Sequence, residues 1–403
     1  MKKNADNRGM FNCLASLLAC AADDERIVPL TFDWIKSHSE STGVSKVLSA
    51  LLNSSPENSE IIDAAKSWSR NHIEEPGTSF LLSTLIKITP GDEDMRRMAI
   101  DWVNSHAETS AAGQLICSLV KAPSSDEESL TLAWTWIDNN GHRPFEQQQL
   151  LAAMLRAAPL ERRVLERALS FLKGRELDKV PAYLFPALAE VAPSDPEVVS
   201  LLSRFIENGK VKEDALELTL NEWLGAPDPT YTAVHAVCRA SETYAASGEK
   251  LSGVFARCCA RNVGVILDAI RLGDARAEDL CYMIERGLPS IDVDPAALIQ
   301  TYREWPKNGG YHIWKGVLQS KSFQPELFIG PLNEWLDENA NTMRYRKVLC
   351  DLKLRTTIDP AFGFTLTDRV RRDVNSLEVS LPESRPRLRR KSRWLERRVL
   401  KKR

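Results

Sequence analysis

The 403-residue sequence lacks the short motifs that mark common catalytic and nucleotide-binding sites. It has no HExxH, no GxSxG, no GxxxxGK[ST] phosphate loop and no dinucleotide fingerprint. Acidic neighbours such as Asp92, Glu93 and Asp94 stand at expected helix starts, where capping explains them better than acid–base catalysis. We therefore predict that the protein is not an enzyme and uses no catalytic residue, metal or cofactor.

The sequence also lacks clustered cysteines and long apolar runs. None of its eight cysteines forms a Cys-x-x-Cys pair, and Cys117 and Cys350 lie in apolar helical segments. This pattern favours reduced, buried thiols over disulfides or a zinc site, and it predicts a cytoplasmic protein. The adjacent Cys258 and Cys259 indicate core packing. No apolar run approaches the ~18 residues that a membrane-spanning helix requires, so no transmembrane segment is predicted.

Acidic and basic residues are unevenly distributed along the chain. The last twenty residues contain eleven Lys/Arg and one acidic residue, Glu396. The first 383 residues contain 42 Lys/Arg and 54 Asp/Glu, a net charge of −12. The composition thus predicts an acidic body with a basic tail.

Aromatic residues recur with a period of about 34 residues. They are Trp34, Trp68, Trp102, Trp136, Phe171 and Phe205. Prolines follow the same period, and so do apolar blocks such as VLSALL, LLSTLI and LICSLV. Self-similarity at a fixed period is the signature of a repeat array in which each unit packs on its neighbours.

The spacing within each repeat predicts two helices, here called helix A and helix B. Ile61, Ala65 and Trp68 recur at helical spacing in helix A, and the apolar block forms helix B. Proline then ends helix B, while acidic and Ser-rich segments cap the next helix A. The position three residues before the aromatic is alanine in four successive repeats, which indicates close helix packing. The predicted fold is an all-α, right-handed solenoid of about ten helix-turn-helix repeats.

Three of the tryptophans are followed four residues later by histidine, at His38, His72 and His106. Stacked repeats place equivalent residues roughly 9–10 Å apart, whereas a metal ion needs ligands about 2 Å away. The three histidines therefore cannot share one ion. Because imidazole near a helix C-terminus can bond free carbonyl groups, we expect a structural role; a surface recognised by a partner is the alternative.

The N-terminal segment permits two interpretations. Lys2, Lys3 and Arg8 precede an apolar stretch ending at Cys20, which resembles a lipoprotein signal. The 34-residue period instead makes CLASLL, residues 13–18, helix B of an earlier repeat, and this is the interpretation we favour. The chain would then start at a half repeat, either as an unusual cap or as part of a longer array.

We divide the chain by the strength of this period. The predicted divisions are regular repeats over 1–230, degenerate helical repeats over 231–354, an irregular closing segment with at most a short strand over 355–383, and the basic tail over 384–403.

Helix pairs of about 34 residues that end in proline resemble tetratricopeptide and, more loosely, HEAT-like solenoids. The tryptophan near the end of helix A and the W-[IVL]-x-x-[SN] pattern are more similar to the C-terminal repeat arrays of bacterial STAND-type signalling and defence ATPases. This resemblance covers about residues 11–230 and part of 300–355. It implies a sensor or scaffold role; the absence of a phosphate loop means that it does not extend to the ATPase domain.

The basic tail is the feature that the scaffold does not explain. Its candidate residues for binding an anionic partner are Arg387, Arg389, Arg390, Lys391, Arg393, Trp394, Arg397, Arg398, Lys401 and Lys402. They surround an apolar helical face that contains Leu388, Leu395 and Val399. A tail folded against the acidic body, contact with nucleic acid, and an amphipathic helix for an anionic membrane or acidic protein all fit this pattern.

Repeat arrays expose long surfaces and need no cofactor, so the sequence favours a protein-interaction scaffold or sensor domain that recognises a protein partner. The resemblance to STAND-type arrays implies a place in a bacterial signalling or defence system. The alternative is a nucleic-acid-binding adaptor that acts through the tail. An enzyme on this fold, like the helical-repeat DNA glycosylases, would need a basic concave face, which an acidic body does not favour.

Overall fold

The structure is a computed structural model whose described residues form helices and no strand. It describes residues 9–20, 26–41, 43–75, 77–123, 126–173, 175, 183–226, 230–266, 277–304, 310–320 and 323–377. These residues fall into two compact units, divided between Leu202 and Ser203. The prediction of an all-α chain of successive helix pairs is confirmed.

Unit 1 alternates A and B helices in the order that the 34-residue period predicts. The B helices are α1 (Met10–Cys20), α3 (Val44–Ser54), α5 (Thr78–Ile88), α7 (Ser110–Lys121), α9 (Pro144–Ala157) and α11 (Leu184–Val191). The A helices are α2 (Ile27–Ser37), α4 (Ser59–Asn71), α6 (Glu93–Ser105), α8 (Glu127–Asn139), α10 (Arg162–Leu172) and α12 (Pro196–Glu207), the last of which crosses the unit boundary.

Successive B helices of unit 1 pack directly on one another from α1 to α11. We call this series the B row of unit 1. Its apolar blocks are buried; Leu48, Leu82 and Leu150, for example, are inaccessible to solvent. Most A helices pack mainly on the B helices beside them in the chain. The core of unit 1 therefore follows the B row.

Side-chain caps fix where several A helices begin. Asn58 accepts hydrogen bonds from the backbone N–H groups of Glu60 and Ile61 at the start of α4. Asp92 caps α6 and Asp126 caps α8 in the same way. These oxygens satisfy N–H groups that have no partner within the helix, as the acidic helix starts in the sequence predicted.

The aromatic residues near the ends of the A helices are mostly buried. Trp68, Trp102, Trp136 and Phe205 are at most 5% exposed, and the alanine three residues before the first three is fully buried. An added Cβ at Gly113 would come within 2.7 Å of the Trp136 ring, so this indole lies directly on the backbone of α7. The predicted core position holds for these four residues.

Trp34 and Phe171 depart from this pattern because both are half-buried. Trp34 lies on α2, the first A helix of the described residues. The Arg175 guanidinium covers Phe171 at 4.2 Å from the ring centroid. The burial of each aromatic thus depends on its neighbours as well as on its position in the repeat.

Unit 2 continues the alternation with shorter and less regular repeats. Its helices after α12 are α13 (Glu213–Gly225), α14 (Thr230–Ala246), α15 (Glu249–Arg261), α16 (Ala277–Gly287), α17 (Pro295–Glu304), α18 (Gly310–Gln319), α19 (Pro325–Glu338), α20 (Met343–Ile358), α21 (Pro360–Gly363) and α22 (Asp368–Ser376). A 3₁₀ turn, Leu288–Ser290, follows α16.

The B row of unit 2 runs through α13, α15, α16, α18 and α20, each packed on the next. Two glycines permit this close approach. An added Cβ at Gly287 would overlap the carbonyl oxygen of Ala256 on α15, and one at Gly316 would lie 2.6 Å from Leu288. The segment between α15 and α16 lies outside the described residues.

The described part of the expected closing segment, residues 355–377, is largely helical and differs from the irregular segment that we expected. It holds the end of α20 and all of α21 and α22. Asp359 and Thr367 cap α21 and α22, and Val370 and Val374 are buried. Two cap signals and an i, i+4 apolar pair therefore produce helices here; residues 378–383 lie outside the described residues.

None of the helices in the described ranges combines the length and the apolar composition that crossing a bilayer requires.

We predict that Trp102→Ala lowers the free energy of unfolding by roughly 3–5 kcal/mol, the usual range for removing a buried aromatic side chain. Trp134→Ala on the neighbouring α8 is the matched control, because this indole is only half-buried and contacts the Arg163 guanidinium. Thermal and urea unfolding measure both variants. If Trp102→Ala is no more destabilising than Trp134→Ala, the aromatic residue of helix A does not anchor the repeat.

Candidate functional site

The three Trp–His pairs form one repeated device at the ends of α2, α4 and α6. Each imidazole stacks on the indole four residues earlier, with ring centroids 4.5, 4.4 and 4.2 Å apart. Each Nδ1 lies 2.8–3.0 Å from the carbonyl oxygen of that same tryptophan. Because a carbonyl only accepts, Nδ1 must be the donor, and the histidine caps the helix C-terminus.

The same device connects neighbouring repeats. Trp68 Nε1 donates to the carbonyl oxygen of Ser39 at 2.8 Å. His72 Nε2 lies 3.5 Å from a carboxylate oxygen of Glu40, and His106 Nε2 lies 4.0 Å from one of Glu74. Each of these histidines thus faces the loop of the preceding repeat.

In other repeats a different residue stands four positions after the aromatic residue and makes the same hydrogen bond to its carbonyl group. Asn140 donates to the Trp136 carbonyl at 3.0 Å, Arg175 to Phe171 at 2.8 Å, and Asn339 to Trp335 at 2.9 Å. What these side chains share is a hydrogen-bond donor, not the ability to bind metal. The described residues contain no group of three or more His, Cys, Asp or Glu arranged to hold a metal ion. The pairs are therefore structural.

Ion pairs link the A helices at their other ends. Lys66 lies 2.5 Å from Asp92, Arg96 pairs with Asp126, and Arg162 lies 2.7 Å from Asp195. In each pair the carboxylate also accepts backbone N–H groups at the start of its own helix.

These contacts lower the pKa of all three carboxyl groups. For Asp92 and Asp195, burial acts in the opposite direction but is outweighed by the cation and the backbone N–H groups. For Asp126 the largest cause is the hydrogen bond from Arg96. Each of these carboxylates thus caps its own A helix and forms an ion pair with the preceding A helix.

The B row of unit 1 has an exposed side, where aromatic residues lie at the helix N-terminal ends. Phe80 on α5 is 59% exposed, Phe145 on α9 is 43% exposed, and Tyr183 at the start of α11 is 45% exposed. The Phe145 and Tyr183 rings meet edge to face, 5.9 Å apart, so this contact joins two successive B helices.

Cations lie at the opposite ends of the same helices. Lys87, Lys121 and Arg156 occupy the last turns of α5, α7 and α9, at equivalent positions of the repeat, and all three are exposed. Arg156 binds Glu190 of α11 at 2.6 Å. Among the described residues, Lys87 and Lys121 have no carboxylate partner.

Two turns of helix, about 10 Å, separate the aromatic end of α5 from its cationic end. The positions between are small: Thr84, Ser118 and Ala153 lie on α5, α7 and α9. We call this surface the B face of unit 1, defined by Phe80, Lys87, Lys121, Phe145, Arg156 and Tyr183. Its aromatic side chains lie toward the N-terminal ends of the B helices and its cations lie in their last turns.

The B helices differ in charge from the acidic body. From α1 to α11 they contain four Lys/Arg, at positions 46, 87, 121 and 156, and two glutamates, at positions 146 and 190. The acidic side chains of unit 1 lie mainly on the A helices and their caps. The B face is thus weakly basic within an acidic protein.

Unit 2 contains a buried ionic cluster on its own B row. Glu285 of α16 is 7% exposed; its Oε2 lies 2.6 Å from His312 Nδ1 and its Oε1 lies 2.6 Å from Lys315 Nζ. Asp351 of α20 accepts a hydrogen bond from Gln319 at 3.1 Å. We call these five residues the Glu285 cluster.

Charge and burial act against each other in this cluster. Burial alone would raise the pKa of Glu285, but the hydrogen bonds from His312 and Lys315 outweigh it and lower the pKa. Burial raises the pKa of Asp351. Because its two oxygens bond side chains of α18, Glu285 holds α16 against α18.

The ten residues that the sequence singled out for binding an anionic partner, Arg387 to Lys402, lie outside the described residues. The structure therefore adds nothing to the three interpretations of the tail.

The sequence reasoning missed both the B face and the Glu285 cluster. A column of Lys87, Lys121 and Arg156 could have been found by comparing every position of the repeat rather than its apolar blocks alone. The Glu285 cluster has no such signal, because the repeats that supply its residues are irregular in sequence.

In comparisons with known proteins, no family model, no curated protein and no solved structure matches this chain.

We predict that Glu285→Gln lowers the free energy of unfolding by about 2 kcal/mol near neutral pH, because His312 and Lys315 lose hydrogen bonds to a charged partner. The folded pKa of Glu285 is below its ordinary value, about 4.3, so its contribution is present above that pH. It is lost as the pH falls through the folded pKa. The difference in Tm between the two proteins should therefore narrow below about pH 4.

Scanning calorimetry over pH measures this difference, with Glu326→Gln at an exposed position of α19 as the control. A difference that is the same at acid and neutral pH would mean that the charge of Glu285 contributes nothing.

Proposed function

We propose that this protein is a non-enzymatic scaffold or sensor that recognises a partner protein on the B face of unit 1. The observation that carries this proposal is the exposure of three aromatic side chains on the B row of unit 1: Phe80 on α5, Phe145 on α9 and Tyr183 at the start of α11. Phe145 and Tyr183 contact each other, but all three rings remain about half exposed, and a group of exposed apolar side chains on one surface is typical of an interaction site. Aromatic residues are instead enriched where proteins bind one another.

The repeat geometry supports the same proposal. Packed B helices hold their exposed side chains at regular intervals, so the binding groups are positioned before a partner arrives. Pre-positioned groups lose less conformational freedom on binding than flexible ones. Recognition of this kind requires no cofactor.

We propose a right-handed solenoid of about ten repeats in the cytoplasm. The Trp-containing A helices that resemble STAND-type C-terminal arrays support a sensor role in a bacterial signalling or defence system.

We predict that Phe80→Ser combined with Tyr183→Ser reduces partner capture from a lysate of the native host at least several-fold. The full chain is tagged, and captured proteins are quantified by mass spectrometry. The Tm should change little, because both side chains are about half exposed in the folded protein.

The matched control is Leu30→Ser combined with Leu160→Ser, which removes exposed apolar side chains from α2 and from the turn before α10. This control should retain capture. Equal loss in both double variants, or no loss in either, would contradict recognition at the B face.

The tail supports a second candidate, a nucleic-acid-binding adaptor, because eleven of the last twenty residues are Lys or Arg. We predict that the full chain binds double-stranded DNA with a log–log salt slope of about −0.9 per phosphate neutralised, and that deletion of residues 384–403 abolishes most of the binding. Binding that survives the deletion would contradict this role. If deletion instead lowers the Tm only at low salt, the tail folds against the acidic body.

A further inference from the structure

We infer that the B face of unit 1 binds an extended, acidic, proline-containing segment with a carboxylate at every third residue. This inference rests on the proposed function and adds the chemistry of the partner. It follows from two independent columns of side chains on the same helices and from the spacing that helix packing imposes on them.

The cation column indicates the charge of the partner. A single cation in the last turn of a helix is explained by the helix dipole alone. Here, three successive B helices carry one at the same exposed position, at Lys87, Lys121 and Arg156. Arg156 keeps donors available, because a guanidinium has five and its exposed pair with Glu190 is weak.

The aromatic column indicates which apolar residues the acidic segment carries. Phe80, Phe145 and Tyr183 are exposed on the other edge of the face, and the helix dipole does not account for them. Aromatic-lined grooves bind proline-rich segments in the polyproline II conformation, which is already ordered before binding. The small, partly exposed side chains of Thr84 and Ser118 let such a segment lie close to α5 and α7.

The spacing of the B row fits a polyproline II segment better than a β-strand. Directly packed helices lie about 8–10 Å apart, so the cations advance by about that distance from one helix to the next. A polyproline II helix repeats every three residues with a rise of about 3.1 Å per residue, or about 9 Å per turn. A β-strand presents one face about every 6.7 Å, which does not match.

Charge density favours a peptide over nucleic acid. Nucleic-acid surfaces match a phosphate chain with many closely spaced cations. The B helices of unit 1 hold four basic residues against two acidic ones, within a body of net charge −12 before the tail. Three separated carboxylates match three separated cations.

The test uses the full chain and a fluorescent peptide of repeating Glu-Pro-Leu triplets, about 15 residues long, which spans roughly five polyproline II turns. A second peptide has the same composition but carries its glutamates in one block. Its binding shows how much affinity comes from charge alone, including attraction to the basic tail. Binding is followed by fluorescence anisotropy at low salt. The triplet peptide should bind more tightly than the block peptide.

Lys87→Glu combined with Lys121→Glu should weaken binding of the triplet peptide by at least about tenfold, since two attractions become repulsions. Arg70→Glu combined with Arg97→Glu is the control; it makes the same change in charge at exposed positions of α4 and α6 and leaves the tail intact. This control should lose little affinity for the triplet peptide.

Equal loss in the two double variants, or equal binding of the two peptides, would overturn the inference. So would a labelled oligothymidylate whose binding depends on Lys87 and Lys121 when peptide binding does not. The proposed function fails separately: it fails if Phe80→Ser with Tyr183→Ser leaves lysate capture intact. If lysate capture depends on these aromatic residues but binding of the triplet peptide does not depend on Lys87 and Lys121, the B face binds a partner protein and that partner is not an acidic segment.

Discussion

Direct packing between successive B helices is the constraint on which the rest of this structure depends. It requires small residues where backbones approach, so Gly287 lies against Ala256 and Gly316 lies against Leu288 in unit 2. It also buries nearly every apolar side chain of the B blocks in unit 1. The exposed side of the row is consequently narrow, and its side chains repeat at the distance between helices.

The A helices are connected to their neighbours at both ends. At the C-terminal end His72 donates to the carbonyl group of the buried Trp68, whose indole donates in turn to the Ser39 carbonyl of the preceding repeat. At the N-terminal end a carboxylate such as Asp92 caps its own helix and binds Lys66 of the preceding one. Polar contacts between repeats of unit 1 thus concentrate on the A helices, while on the B side the Arg156–Glu190 pair joins α9 to α11.

Much of the architecture could be predicted from the sequence, because periodicity reports packing. The aromatic period located the A helices, and acidic starts located caps such as Asp92 and Asp126. The helices after residue 355 were missed because their signals are single caps and short apolar pairs without a repeat. The burial of Trp34 was overestimated because the period marks the position of an aromatic residue and not the neighbours that cover it. The Glu285 cluster depends on contacts between irregular repeats, which no local pattern encodes. The B face lay within reach of the sequence, since Lys87, Lys121 and Arg156 share one repeat position.

Hydrogen exchange measured by mass spectrometry tests most directly whether the B row is the packed centre of unit 1. The structure predicts that the amides of α5, α7 and α9 exchange more slowly than those of α4, α6 and α8 in the same repeats. Opening a B helix disrupts its packing against two other B helices, whereas opening an A helix disrupts fewer helix contacts. The amides of the B helices should therefore open less often. A helices that exchange as slowly as the B helices, or more slowly, would contradict the B row as the packed centre on which the fold of unit 1 depends.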